Sequence, residues 1–190
     1  MHIIYNFNWI IELFWYCNIA AIILALGILF NKKELIGAVL ITAVPAQFLW
    51  ILDFILNLFG YGFGRTQWLF TSGLFIFTVS VILHASLIPI SFFGVYKTGF
   101  SKKSLLYGFI IFILLMFPLT YIFTPATENI NCISYPCDLN IEKDSIKILS
   151  NSDYMTLNYL IKVMLFWSFI LIISYFIHLS MFKKFSIKVN

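Results

Sequence analysis

Charge is what this chain has least of: 11% of its 190 residues are Asp, Glu, Lys or Arg, against roughly a quarter in soluble domains. With 62% hydrophobic side chains and a mean hydropathy of +0.97, the shortage excludes a soluble globular domain and points to an integral membrane protein. Chemical motifs are scarce too. There is no phosphate-cradling glycine loop, no H-E-x-x-H, no G-x-S-x-G and no H-x-x-x-H, which leaves most motif-defined enzyme classes unsupported. Cysteine occurs three times, at Cys17, Cys132 and Cys137. The C-x4-C spacing of "CISYPC" is not the C-x-x-C redox motif, and no other Cys or His in that loop completes a zinc site. No metal and no cofactor is expected. The net charge of +4 is dispersed in small clusters between oily runs, a pattern suited to anionic lipid headgroups and not to nucleic acid.

What the chain has is apolar length. Five runs meet the roughly 20 residues a spanning helix needs: 7–30, 35–59, 67–95, 104–124 and 157–182. The expectation is one all-α domain over residues 1–190, a five-transmembrane-helix bundle with a long loop at 125–156, located in the cell membrane. The first run is too long for a signal-peptide core and no basic segment precedes it, so it is expected to be a retained span. Lys32, Lys33, Lys97, Lys102, Lys103, Lys183, Lys184 and Lys188 fall on one side, and Arg65, Lys143 and Lys147 on the other. Short basic loops stay cytoplasmic, so the N-terminus and the long loop are expected outside and the C-terminus inside. An oxidising outer compartment favours a Cys132–Cys137 disulfide over free thiols.

The costliest residues are the ionisable ones inside spans: Glu12, Asp53 and His84, with His178 near the inner end of the last run. The first two spans turn at "NKKE", so residues whose numbers sum to about 65 share a depth. Glu12 and Asp53, Asn8 and Asn57, Trp15 and Trp50, and Asn18 and Gln47 all satisfy that sum. Asn8, Glu12 and Trp15 recur at helical spacing, as do Trp50, Asp53 and Asn57; Ala46 extends the second stripe as a small residue permitting close approach. Facing carboxylates in a dry site share a proton. The set therefore suits either a ligand site made of Asn8, Glu12, Trp15, Trp50, Asp53 and Asn57 or an interhelical clamp. A catalytic role, with Asp53, Glu12 and His84 as candidates, requires an approach that the depth of His84 disfavours. Unequal depths of His84 and His178 also argue against a haem between them.

The segments "ELFWYCN", "PAQFLWILDF", "LHASLIP" and "TPATENIN" resemble a family of small bacterial polytopic membrane proteins to which no activity is assigned. The resemblance implies a class and no mechanism, and singles out Glu12, Cys17, Asn18, Pro45, Gln47, Trp50, Asp53, His84, Pro89, Asn129 and Asn131 for testing. The residues suit three functions: binding a lipid or small polar ligand in an outward-leaning pocket, hydrolysis or transfer on lipid, or service as an accessory subunit of a larger membrane complex.

Overall fold

A computed structural model describes residue 11 and residues 13–64, 66–137, 139, 144–185, 187 and 189. Its elements are helical: α1 (Tyr16–Leu29), α2 (Lys33–Leu58), α3 (Leu74–Thr98), α4 (Ser104–Phe123), α5 (Ser145–Ser150) and α6 (Leu157–Lys184). Among the described residues no strand forms, only one bridge between Phe100 and Val189. Helices α2, α3, α4 and α6 are long and apolar enough to cross a membrane. Helix α1 is apolar but has 14 residues, about 21 Å of rise against a hydrocarbon core of about 30 Å. The span expected from residue 7 is not continuous with α1, because Phe14 and Trp15 form a turn and an extended residue just before it; residues 7–10 and 12 lie outside the described residues.

Three of the four long helices begin and end within a few residues of the apolar runs. The exception is α3, expected from 67 and found from Leu74. Gln67–Phe70 forms a separate 3-10 turn. The hydroxyls of Thr71 and Ser72 donate back to the carbonyls of Trp68 and Leu69 at 2.9 and 2.7 Å, and Gly73 is extended. Such local bonds compete with helix continuation.

Helix α2 is the hub. Residues 36 to 43 are buried without interruption, as expected of a helix enclosed on all sides. Small residues let its neighbours close in. A Cβ on Gly27 of α1 would lie 2.9 Å from the Ile36 side chain, and one on Gly94 of α3 would lie 2.8 Å from it. On another side, Gly37 abuts Ser104 of α4.

The basic turns gather at one end of the bundle. There Ser101 donates to Glu34 at 3.4 Å, and Phe100 packs on Phe182 with ring centroids 5.1 Å apart. His178 lies near this end, buried, with Nδ1 2.7 Å from the Ser174 carbonyl and its ring 5.5 Å from that of Phe92.

Helix α4 is wound as a π-helix over Phe109–Met116, a rare form that often marks functional positions. Pro118 follows directly. It has no N–H for the Leu114 carbonyl and its ring crowds that group, consistent with a widened turn just before it.

Candidate functional site

Asp53 is wholly buried, and its partners are Asn57, one turn on in its own helix, and the connection that follows that helix. Oδ1 accepts from the Phe63 backbone N–H. Oδ2 accepts from the Thr66 N–H at 2.7 Å, the Thr66 hydroxyl at 2.9 Å and the Asn57 amide at 3.1 Å. Asn57 also donates to Thr66 Oγ1 at 2.8 Å. The glycines of "GYGFG" make the geometry possible: Gly60 and Gly64 take φ of 80° and 89°, and a Cβ on Gly62 would lie 2.0 Å from Asn57. Asp53 thus organises the α2–α3 loop. Asn8 and Glu12, the other acidic and amide members of the expected pocket, lie outside the described residues. Trp15 is the extended residue just before α1.

Further down α2, Gln47 is buried and its Oε1 lies 2.5 Å from His84 Nδ1 on α3. The His84 ring stacks on Trp50, with centroids 3.9 Å apart and planes within 6°. His84 therefore sits level with Gln47 and Trp50, three to six residues or about 4.5–9 Å along α2 from Asp53. Its contacts tie α3 to α2 one turn at a time, and none of the described contacts of Asp53 reaches it. In a double-mutant cycle, Gln47→Ala and His84→Ala are expected to show a coupling of about 1 kcal/mol in detergent unfolding. Strict additivity would remove this pair as a helix tie.

The loop of residues 124–156 is built around two asparagines. Asn129 and Asn131 take left-handed φ of 45° and 59°, a region Asn tolerates better than most residues. The buried Asn129 side chain accepts from the Ser134 and Tyr135 N–H groups at 3.0 and 3.1 Å and donates to the Tyr135 carbonyl at 2.9 Å. Asn131 reaches a different element: it accepts from Tyr16 N at 2.8 Å and donates to the Phe14 carbonyl at 2.7 Å. It thereby caps α1 from across the chain, satisfying an otherwise orphaned donor of that helix. Cys132 and Cys137 are bonded to each other, with Cα atoms 5.1 Å apart.

Below this roof lies a cavity of about 120 Å³. Its walls are Tyr16 of α1; Ile41, Thr42 and Ala46 of α2; Phe112, Ile113 and Phe117 of α4; Trp167, Ile170 and Leu171 of α6; and Asn131 and Cys132 above. Two α4 wall residues belong to the π-wound stretch, and Ile41 is the residue whose carbonyl Pro45 leaves without its helical donor. The Tyr16 hydroxyl is buried and beside Thr42, but it makes no hydrogen bond of good geometry. Thr42 directs its own proton to the Ala38 and Val39 carbonyls, at 2.7 and 3.1 Å.

No family model, curated protein or solved structure matches the chain. Of these walls, sequence had singled out Ala46 and Asn131; Cys132 had been noted only for its disulfide. Tyr16, Thr42 and Trp167 were missed, because each lies on an apolar run and is ordinary there. The one usable signal was the asparagine pair of "ENIN", polar residues directly after a span. Among the described residues, no group of His, Cys, Asp and Glu is placed to hold a metal.

Proposed function

We propose that this chain is an integral membrane protein that binds a lipid-soluble ligand in the pocket beneath its long outer loop. The observation that carries this is an apolar cavity of about 120 Å³, walled by four helices, covered by Asn131 and Cys132 of the loop, and lined by no charged side chain. Filling such a space with a neutral apolar group removes hydrocarbon surface from water at roughly 25 cal/mol per Å². The roof is built for permanence, with a disulfide, a buried amide and a clasp onto α1, so the space below is maintained and not a packing accident. Five crossings, an outer N-terminus and a cytoplasmic C-terminus remain the preferred topology. The clustering of Lys32, Lys33, Lys97, Lys102 and Lys103 in the turns at one end of the bundle supports it.

The test is chemical. The full chain, purified in mild detergent and extracted with organic solvent, is expected to yield a neutral lipid-soluble species by mass spectrometry. That species should be depleted at least fivefold from Ala46→Leu protein, in which the added side chain fills the cavity. Identical extracts from both proteins, each with intact helical circular dichroism, would rule out a cavity-bound ligand.

A further inference from the structure

We infer that the connection between α2 and α3, residues 59–73, is an aromatic platform that seats itself in the bilayer interface, its partner being the lipid surface at the end of the bundle away from the lysine-rich turns. The inference rests on the reading of this chain as an integral membrane protein and adds a lipid-binding surface outside the spanning helices.

The outward face of the connection is ill suited to water. Phe59, Tyr61, Phe63 and Trp68 are exposed by 71, 77, 59 and 51%, while Asp53 and Thr66 are fully enclosed beneath them. Residues 59–73 contain one charged residue, Arg65. Among the described side chains of the connection, the fully exposed polar ones are Gln67 and Thr71, and the Thr71 hydroxyl already donates to the Trp68 carbonyl at 2.9 Å. A contiguous apolar surface of this kind marks an interaction site.

The aromatics have no room to turn inward. Asp53 fixes the backbone at Phe63 and Thr66, Leu69 is buried, and the Phe70 ring lies 5.7 Å from that of Phe54 on α2 and 6.0 Å from that of Phe77 on α3. The platform is therefore preorganised. Its backbone is suited to lipid as well, because polar main-chain groups at membrane depth must be satisfied from within. The N–H groups of Phe59, Gly60, Tyr61, Leu69, Thr71 and Ser72 bond to carbonyls three to five residues back, and those of Phe63 and Thr66 bond to Asp53.

Continuity favours lipid over a protein partner. A protein interface is bounded by a polar rim, whereas here the apolar surface continues along the chain into exposed Leu58 of α2 and Leu74 and Phe75 of α3, helices long and apolar enough to cross a membrane. Tyr and Trp, each with an apolar ring and a polar tip, concentrate where hydrocarbon meets headgroups. An open recess lined by Leu69, Phe70, Ser72, Leu74 and Phe77 lies in the same surface. Its one side-chain hydroxyl, that of Ser72, donates to the Leu69 carbonyl at 2.7 Å, which leaves an apolar floor for an acyl chain.

Spin labels read this depth directly. In a full-length Cys17→Ser background with the Cys132–Cys137 disulfide intact, Tyr61→Cys and Phe63→Cys are labelled one at a time and reconstituted into phosphatidylcholine and phosphatidylglycerol vesicles. Phe169→Cys, on the exposed middle of α6, and Ser152→Cys, in the exposed turn before it, serve as lipid and water references. The ratio of oxygen to nickel-chelate accessibility at 61 and 63 is expected at least about threefold above that at 152 and below that at 169, as for an interfacial site. Ratios equal to that at 152, with 169 high, overturn the platform and leave the membrane reading standing. A low ratio at 169 overturns the membrane reading itself. Labels at 61 and 63 shielded from both reagents overturn lipid as the partner and indicate a second copy or another protein. Should the cysteine variants not fold, hydroxyl-radical footprinting of the wild type in nanodiscs decides. Tyr61 should oxidise severalfold more slowly than Tyr154, a less exposed ring in the turn before α6; equal or faster oxidation of Tyr61 overturns the platform.

Discussion

Asp53→Asn is expected to be among the most destabilising single-atom exchanges in the protein, and to leave occupancy of the cavity unchanged. The wild-type carboxylate accepts four bonds and donates none. An asparagine retains one acceptor oxygen but turns an NH2 group toward donors. Depending on the flip, it faces the Phe63 N–H or the Thr66 N–H and hydroxyl. Hydrogen bonds to a charged group are worth about 1.5–3 kcal/mol each, and abandoned buried donors cost a similar amount. The net loss should be about 2–4 kcal/mol, and somewhat more for Asp53→Ala. Thermal unfolding in detergent should fall by at least about 5 °C. Limited chymotrypsin digestion should cut within residues 59–70 faster, because Phe59, Tyr61 and Phe63 are already exposed there and only the backbone anchorage restrains them. An unshifted melting temperature would show that Asp53 is not a loop anchor, and loss of the co-extracted lipid-soluble species with stability intact would place it in a ligand site.

Asn129→Ala is expected to have the second largest effect, about 2–4 kcal/mol. Two separable losses combine. Three side-chain bonds to the chain around Ser134 and Tyr135 disappear, together worth about 1.5–2 kcal/mol net. The backbone must also hold a left-handed φ of 45° with a residue that disfavours it by roughly 1–2 kcal/mol. Asn129→Gly removes the second cost and keeps the first, so it should be the more stable of the two variants by about 1 kcal/mol. Both should loosen the roof and lower the yield of the co-extracted lipid-soluble species. Equal stabilities for the alanine and glycine variants would exclude the conformational contribution; wild-type stability in both would exclude the amide bonds as well.

The long helices were legible because length and apolarity together are a strong signal. Lys33–Leu58, Ser104–Phe123 and Leu157–Lys184 lie close to the runs read from hydropathy alone. The start of α3 was not, since "QWLFTSGLFIF" is apolar on average and the break depends on two hydroxyls and an extended glycine, whose local bonding hydropathy does not weigh. Depth matching placed His84 too far below Asp53 for the same reason, its helix having been started seven residues early.

The role of Asp53 was hidden differently. Pairing by depth searched side chains on the facing helix, whereas two of its partners are backbone N–H groups ten and thirteen residues onward. Every residue carries such a group, so no pattern of residue types reveals it. The glycines of "GYGFG" were the available clue. The cavity was the least legible part, as its walls come from four helices and a loop, and no stretch of sequence contains more than three of them.

Ile36 has a consequence for how the protein moves. It is held between Gly27 and Gly94, so three helices are pinned through one side chain at the basic end, like the arms of a clothes-peg at its spring. Little opening is available there without breaking both glycine contacts. The opposite end is fastened differently, by the Asn131 side chain gripping the backbone at the start of α1.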